Sequence, residues 1–284
     1  MNVFYRPEQC AQTDSFSPSA AKPAMVVADW LSRPEIGARI SSFEPAPREV
    51  FYRAHSQKFV DAVLDLRQKN GFGNNDASVA LSLPYTTGSL LAASRHALEN
   101  ASAACSPTSG FHHAGWDSAV GFCTFNGLMA CALALRAEHP ALRVGIIDCD
   151  AHYGNGTDDI RQKLGIGWIE HWTMGRVFNT RSDADGGKFE QWLDRAIRAC
   201  SGCDLVLYQA GADPHLDDPY GGMLTSEQMN DRDLAVFSAF PKTPLAWCLA
   251  GGYQTIDGLE GASKIEPVLA LHRATALAHR AVYG

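Results

Sequence analysis

Apolar residues along this chain fall into short blocks separated by longer amphipathic stretches. Residues 142–148 (LRVGIID), 204–209 (DLVLYQ) and 245–249 (LAWCL) are compact apolar runs without strict alternation. That is the pattern of strands covered on both faces. Residues 168–174 (WIEHWTM) form a fourth, less apolar run. The spacing of apolar positions between these runs predicts helices over 55–68, 88–101, 126–138, 187–200, 225–239 and 264–281. The helix at 126 stops before Pro140, and Thr225-Ser226 stands where a cap would open the helix at 225. Strands alternating with helices predict an α/β fold with a mostly parallel sheet. Sheets of that kind carry their sites just beyond the carboxyl ends of the strands.

The strand ends therefore come first. After 142–148 the chain continues CDAHYGNG, after 204–209 it continues AGADPHLDDPYGG, and after 245–249 it continues AGGYQ. Asp148, Asp150 and His152 stand two apart, so in extended chain they share one face. Two carboxylates and an imidazole converging there suit a divalent cation; the alternative is a turn whose Asp caps the next helix. Asp213 follows the neighbouring run and is either a turn residue or a further ligand. An Asp, His, Asp set with open positions is the composition of a catalytic metal site. His112 and His113 stand together in GFHHAG, between Gly110 and Gly115. They read either as hydrogen-bonded structure or as acid–base groups, since imidazole changes charge near neutral pH. Tyr253 follows Gly251-Gly252 and is either a buried turn residue or a phenol offered to a developing oxyanion.

Composition narrows the functions. The 284 residues are 46% hydrophobic and 19% charged, with a net charge of −7. This is a globular balance. The acidity argues against nucleic-acid binding, which needs a basic face. No apolar run approaches the roughly 20 residues that span a bilayer, and MNVFYRPEQC has no apolar core of a secretion signal. No linker or repeat divides the chain, so a single domain over 1–284 is expected. The eight scattered cysteines suit a reducing, cytoplasmic setting better than a disulfide framework. Cys200-x-x-Cys203 is a lone pair where a zinc ribbon needs two, and HYGNGT lacks the spacing and the Lys of a phosphate loop.

In order, GFHHAG, GFCTFN, IDCDAHYGNGT, GADPHLDDPYGG and AGGY closely resemble the motifs of the zinc-dependent deacetylases, the family of histone deacetylases, acetylpolyamine amidohydrolases and acetoin-utilisation proteins. AHSQKFVDAVL at 54–64 resembles that family's early His-Ser segment. The resemblance implies the arginase–deacetylase fold, a three-layer α/β/α arrangement around a parallel sheet of about eight strands. It implies one zinc per chain on Asp150, His152 and Asp213, with iron(II) an alternative occupant. Asp148 would orient one of the paired histidines. His113 would be general base and then acid, and His112 its electrostatic partner bonded towards Asp148. Tyr253 would polarise the acyl carbonyl, and Gly121 and Phe122 would line the acyl channel. A structural potassium ion would sit beside Asp148, Asp150 and the His152 main chain.

The chain departs from the family pattern in places. His-His-Gly-Asn-Gly becomes His152-Tyr153-Gly154-Asn155-Gly156, and Gly-Gly-Gly-Tyr becomes Ala250-Gly251-Gly252-Tyr253. A ureohydrolase on the related arginase fold would need an Asp at Gly154. Many peptide-acting relatives carry an Asp six residues before the glycine of the PYTTGS segment, and counting back from Gly88 gives Ser82. The expected activity is therefore removal of an acetyl or short acyl group from a small N-acylated amine. The alternatives are acetyl-lysine in protein, a ureohydrolase and a non-catalytic binding protein. No nucleic-acid or membrane partner is expected, and the oligomeric state, a homodimer included, stays open.

Overall fold

Strands form where the chain runs apolar for a few residues, and all of them lie parallel in one sheet. The computed structural model describes residues 1–256 and 264–284. Its strands are β1 (Asn2–Phe4), β2 (Arg39–Ser41), β3 (Ala103–Ser106), β4 (Val144–Asp148), β5 (Ile169–Thr173), β6 (Leu205–Gln209) and β7 (Leu245–Cys248). Their spatial order is β2-β1-β3-β7-β6-β4-β5, and every pairing is parallel. The described residues thus hold seven strands where the resemblance implied about eight.

The helices are α1 (Lys22–Leu31), α2 (Arg48–Tyr52), α3 (Gln57–Leu64), α4 (Ala77–Asn100), α5 (Gly127–Glu138), α6 (Asn155–Lys163), α7 (Arg181–Ala184), α8 (Lys188–Cys200), α9 (Ser226–Ala239) and α10 (Glu266–Tyr283). They cover both faces of the sheet, and strand alternation decides which side chain meets which layer. Val206, Tyr208, Leu245 and Trp247 pack with residues of α1, α8, α9 and α10. Leu205, Leu207, Ala246 and Cys248 pack with residues of α2 to α5. Three layers with both sheet faces buried explain why the central strands read as unbroken apolar runs.

Four helices, α1, α2, α6 and α7, were not expected from the sequence, and two expected ones have different bounds. The helix expected over 55–68 spans only Gln57–Leu64, opened by the Ser56 side chain, which accepts from Phe59 N. The helix expected over 88–101 begins at Ala77 and passes through Pro84. Pro84 gives no amide hydrogen to the helix, but its carbonyl accepts from Ala46 N at 2.8 Å, outside the helix. Gly88 continues the same helix because the chain at Glu44–Ala46 crosses it closely. A Cβ there would come within 2.7 Å of the Glu44 carbonyl.

That longer helix overturns the inference drawn from Ser82. Ser82 is buried in the middle of α4, with its hydroxyl donating to the Val79 carbonyl at 2.8 Å. The chain from Ser82 to Gly88 is helical. Ser82 cannot stand at a rim that grips a peptide backbone. All eight cysteines are free thiols, Cys200 and Cys203 among them. No helix among the described residues is long and apolar enough to cross a membrane.

Candidate metal centre and its two histidine dyads

The four adjacent strands β3, β7, β6 and β4 run in the same direction, so the segments leaving their carboxyl ends meet above one edge of the sheet. His112 and His113 follow β3, Asp148 ends β4 with Asp150 and His152 just beyond, Asp213 follows β6, and Tyr253 follows β7. The sequence-predicted site residues therefore converge.

Asp150, His152 and Asp213 each offer one ligand atom, and those atoms lie within 4.8 Å of one another. His152 Nδ1 is 3.0 Å from both Asp150 Oδ1 and Asp213 Oδ2. Both carboxylates are buried. Burial and the Asp150 charge push the Asp213 carboxyl upward. Burial also works to raise Asp150, but His112 and His152 outweigh it and hold that carboxyl well below its usual range. Two buried carboxylates converging on one imidazole make a donor set that fits a divalent cation. Gly251 is obligatory beside it. Its N–H donates to Asp150 Oδ2 at 2.8 Å, and a Cβ there would fall 2.2 Å from Asp213 Oδ2. Gly154 is equally confined, since a Cβ would fall 2.6 Å from Asp148 Oδ2. The extra carboxylate of a ureohydrolase does not fit there.

Two dyads stand behind the triad. His112 donates through Nδ1 to Asp148 Oδ2 at 2.8 Å. Asp148 Oδ1 in turn accepts from Gln209 Nε2 at 2.8 Å and Asp150 N at 3.2 Å. His113 donates through Nδ1 to the Asn155 side-chain oxygen at 2.7 Å, and its ring lies 4.1 Å from that of His112. Burial works to lower the pKa of His112, but Asp148 and Asp150 overcome it and raise it to about 9. Burial and the neighbouring His112 lower His113 to about 4. Asn126 fixes the His-His loop against α6 by donating to the Ala114 carbonyl and Thr157 Oγ1.

Tyr253, Phe122, Gly121, His113 and His152 line a slot of about 120 Å³ together with Phe16 and Tyr220. A wider basin of about 510 Å³ adjoins it and shares His113, Gly121, His152 and Tyr220. Gly121 and Phe122 both have positive φ, +59° and +62°. For Phe122 this conformation is costly, and its N–H is anchored on the Gly71 carbonyl at 2.9 Å. Burial and the nearby Asp213 and Asp150 charges push the Tyr253 phenol well above its ordinary pKa, which keeps it a donor.

Sequence reasoning missed four residues of this site. Asn155 stood inside the HYGNG motif, three places after a proposed ligand. Asp218 accepts Tyr253 N at 2.7 Å and Tyr220 N at 3.0 Å, tying two loops together. Lys22 is wholly buried and donates to the carbonyls of Ala250 and Gly251 at 2.5 and 3.0 Å. Burial lowers its pKa against the pull of Asp213 and Asp150. Lys22 carried no local signal. Phe16 gave none.

The sequence model of the histone deacetylase domain matches residues 18–165, more than half of the chain. Histone deacetylase 4 of Caenorhabditis briggsae is 37% identical over 89 residues, 29% of this chain and 10% of that protein. Histone deacetylase 6 of Caenorhabditis elegans is 45% identical over 141 residues, 39% of this chain and 15% of that one. The matched regions are thus a small part of those relatives' length. The solved acetylpolyamine aminohydrolase of Burkholderia pseudomallei superposes with a TM-score of 0.75 at 18% identity, over 100% of both chains, which is a likeness of fold. With the match running from Pro18 through the paired histidines and the Asp148–His152 strand end, the chain belongs to the histone deacetylase domain family.

Proposed function

We propose that the chain is a metal-dependent amidohydrolase that releases acetate or another short carboxylate from an N-acylated amine. The observation that carries this reading is a slot lined by His113, His152 and the Tyr253 phenol, set against the buried Asp150, Asp213 and His112. Zinc, or iron(II) with the same donors, held by Asp150, His152 and Asp213 would polarise the substrate carbonyl and make nearby water more acidic.

The chain's own groups do the rest. Nδ1 of His113 is committed to Asn155, so Nε2 is the nitrogen free to accept a proton from the attacking water and return it to the departing amine. His112, kept charged opposite Asp148, supplies positive charge beside the reacting carbonyl. Tyr253 donates a hydrogen bond to the oxyanion that develops there. Phe122 and the other slot rings exclude water around the acyl-bearing arm. The reading includes a potassium-type ion beside Asp148, Asp150 and the His152 main chain, which comparing thermal stability in potassium and choline salts would check.

The test is to load the purified protein with zinc and assay acetate release from N-acetylalkylamines, N-acetyldiamines and acetyl-lysine peptides. One metal per chain with turnover of at least one class is expected. Full metal load with no amide hydrolysed across the panel would overturn the reading. A preference for the acetyl-lysine peptides would redirect it to protein deacetylation.

A further inference from the structure

The slot that leads to the candidate metal centre has one wall from an unexpected source. Phe16 belongs to the segment before α1, nearly a hundred residues or more before every other ring of the slot. It is 72% exposed, a costly state for a phenylalanine. Yet it is not splayed into solvent. It stands edge-on to Phe122 at 5.3 Å and 88°, and tilted against Tyr220 at 5.8 Å. Tyr220 in turn meets Tyr253 edge-on at 5.2 Å. Phe16 thus closes a ring of aromatic side chains around a slot less than a quarter the volume of the adjoining basin.

We propose that Phe16 is a specificity-determining residue that admits a free, unbranched N-acylalkylamine and turns away the same acyl arm when it hangs from a peptide backbone. The inference rests on the amidohydrolase reading above. A peptide backbone brought to this rim would have to bury its N–H and C=O groups against an apolar ring that returns no hydrogen bond, which costs affinity. A free alkylamine has no such groups at that depth and gains from contact with the same ring. Among the described residues, no carboxylate lines the slot or the basin. Asp218, on the Tyr220 loop, has its two oxygens engaged by the amides of Tyr220 and Tyr253, and Ser82 is buried within α4.

The test compares N-acetylbutylamine with a tripeptide carrying central Nε-acetyl-lysine, which presents the same butyl arm on a backbone. Zinc-loaded wild type, Phe16→Ala and Phe16→Tyr are assayed for kcat/KM on both. Dissociation constants are measured by calorimetry on metal-free protein, where nothing is turned over. Phe16 is exposed, so Phe16→Ala is expected to fold with an unchanged Tm. Phe16→Ala should move the amine-to-peptide ratio about tenfold towards the peptide in both measurements, chiefly through KM. Phe16→Tyr should keep the wild-type ratio. A ratio that stays within about twofold of wild type in Phe16→Ala overturns the proposal. If neither amide is hydrolysed but the ratio of dissociation constants moves as stated, the selectivity stands and the amidohydrolase reading falls. If both are hydrolysed and neither ratio moves, the selectivity falls alone.

Discussion

His112 and His113 are neighbours in sequence with rings 4.1 Å apart, yet their environments drive them in opposite directions. Each donates through Nδ1. His112 gives its proton to the carboxylate of Asp148, and His113 gives its own to the neutral amide oxygen of Asn155. The first is raised to about 9 and the second lowered to about 4. Burial opposes the charged form of both; Asp148 and Asp150 overcome it at His112, whereas the His112 charge adds to it at His113. A pair of titratable groups pushed apart in this way is how one site obtains a charged stabiliser and a neutral base together. A dication at the neighbouring triad would lower both values.

The comparison breaks most visibly if the neutral partner of the pair is removed. His113→Ala should lower kcat by about 10²–10⁴, and Tyr253→Phe by about 10²–10³. Metal content by elemental analysis should stay at the wild-type level in both, because neither side chain is in the ligand triad. A His113→Ala variant that keeps a tenth of wild-type kcat would show that the proton is carried elsewhere. A smaller effect is expected from the charged partner's support. Asp148→Asn removes the charge opposite His112 but keeps a hydrogen-bond acceptor, and should cost about 10–100-fold, the range for groups that orient the residues of a metal site. The test is kcat measured at saturating substrate and metal.

A third histidine extends the comparison from activity to stability. His55 is buried, accepts from Asn126 N through Nε2 at 2.9 Å, and therefore donates through Nδ1 to the Gly115 carbonyl at 2.8 Å. Its partners are neutral, like that of His113, and burial lowers its pKa from 6.5 to about 4. The unfolded chain thus takes up this proton first as pH falls. The stability contributed by neutral His55 is fully present above about pH 6.5 and is lost between there and about pH 4. The whole effect is roughly 3 kcal/mol, at about 1.36 kcal/mol per pKa unit. Urea titrations at pH 7.5 and 5.0 should show a smaller loss of stability for His55→Gln than for wild type. Equal losses would mean that His55 is not the group responsible.

How much of this was legible in the sequence follows from the range of the interactions. Asp148, Asp150, His152 and Asp213 were readable because a parallel sheet exposes its strand ends and the apolar runs mark those ends. The central strands β4, β6 and β7 were readable for the same reason. β1 and β2 are only three residues long, too short for a period to emerge, and β3 is no longer than β7 but made of small residues; they are strands because their neighbours complete the ladder. The first half of α4 lay outside the expected helix, which began at Gly88, four residues after Pro84. The chain at Glu44–Ala46 supplies both the bond and the close approach that make them tolerable. Lys22 and Phe16 reach the site across more than a hundred residues of chain, and nothing local marks a side chain whose partner lies that far away.

The smallest expected effect is the sharpest test of the two dyads. Asn155→Asp would give His113 the same kind of partner that His112 has, at nearly the same distance, without removing any group from the cavity. A carboxylate within about 4–6 Å favours the imidazolium, typically by about 1–3 pKa units. Catalysis needs His113 neutral, so activity is present above its pKa and lost as pH falls through it. In the wild type that acid limb lies low, since His113 is pushed down to about 4. In Asn155→Asp the limb of kcat/KM should move upward by at least about one pH unit, while the rate on the alkaline plateau changes little. Asp148→Asn should move that limb less, and only by weakening the His112 charge that helps hold His113 low. If Asn155→Asp lowers the rate equally at every pH, Asn155 acts only by holding the ring in place, and the charge of the partner is not what separates the two histidines.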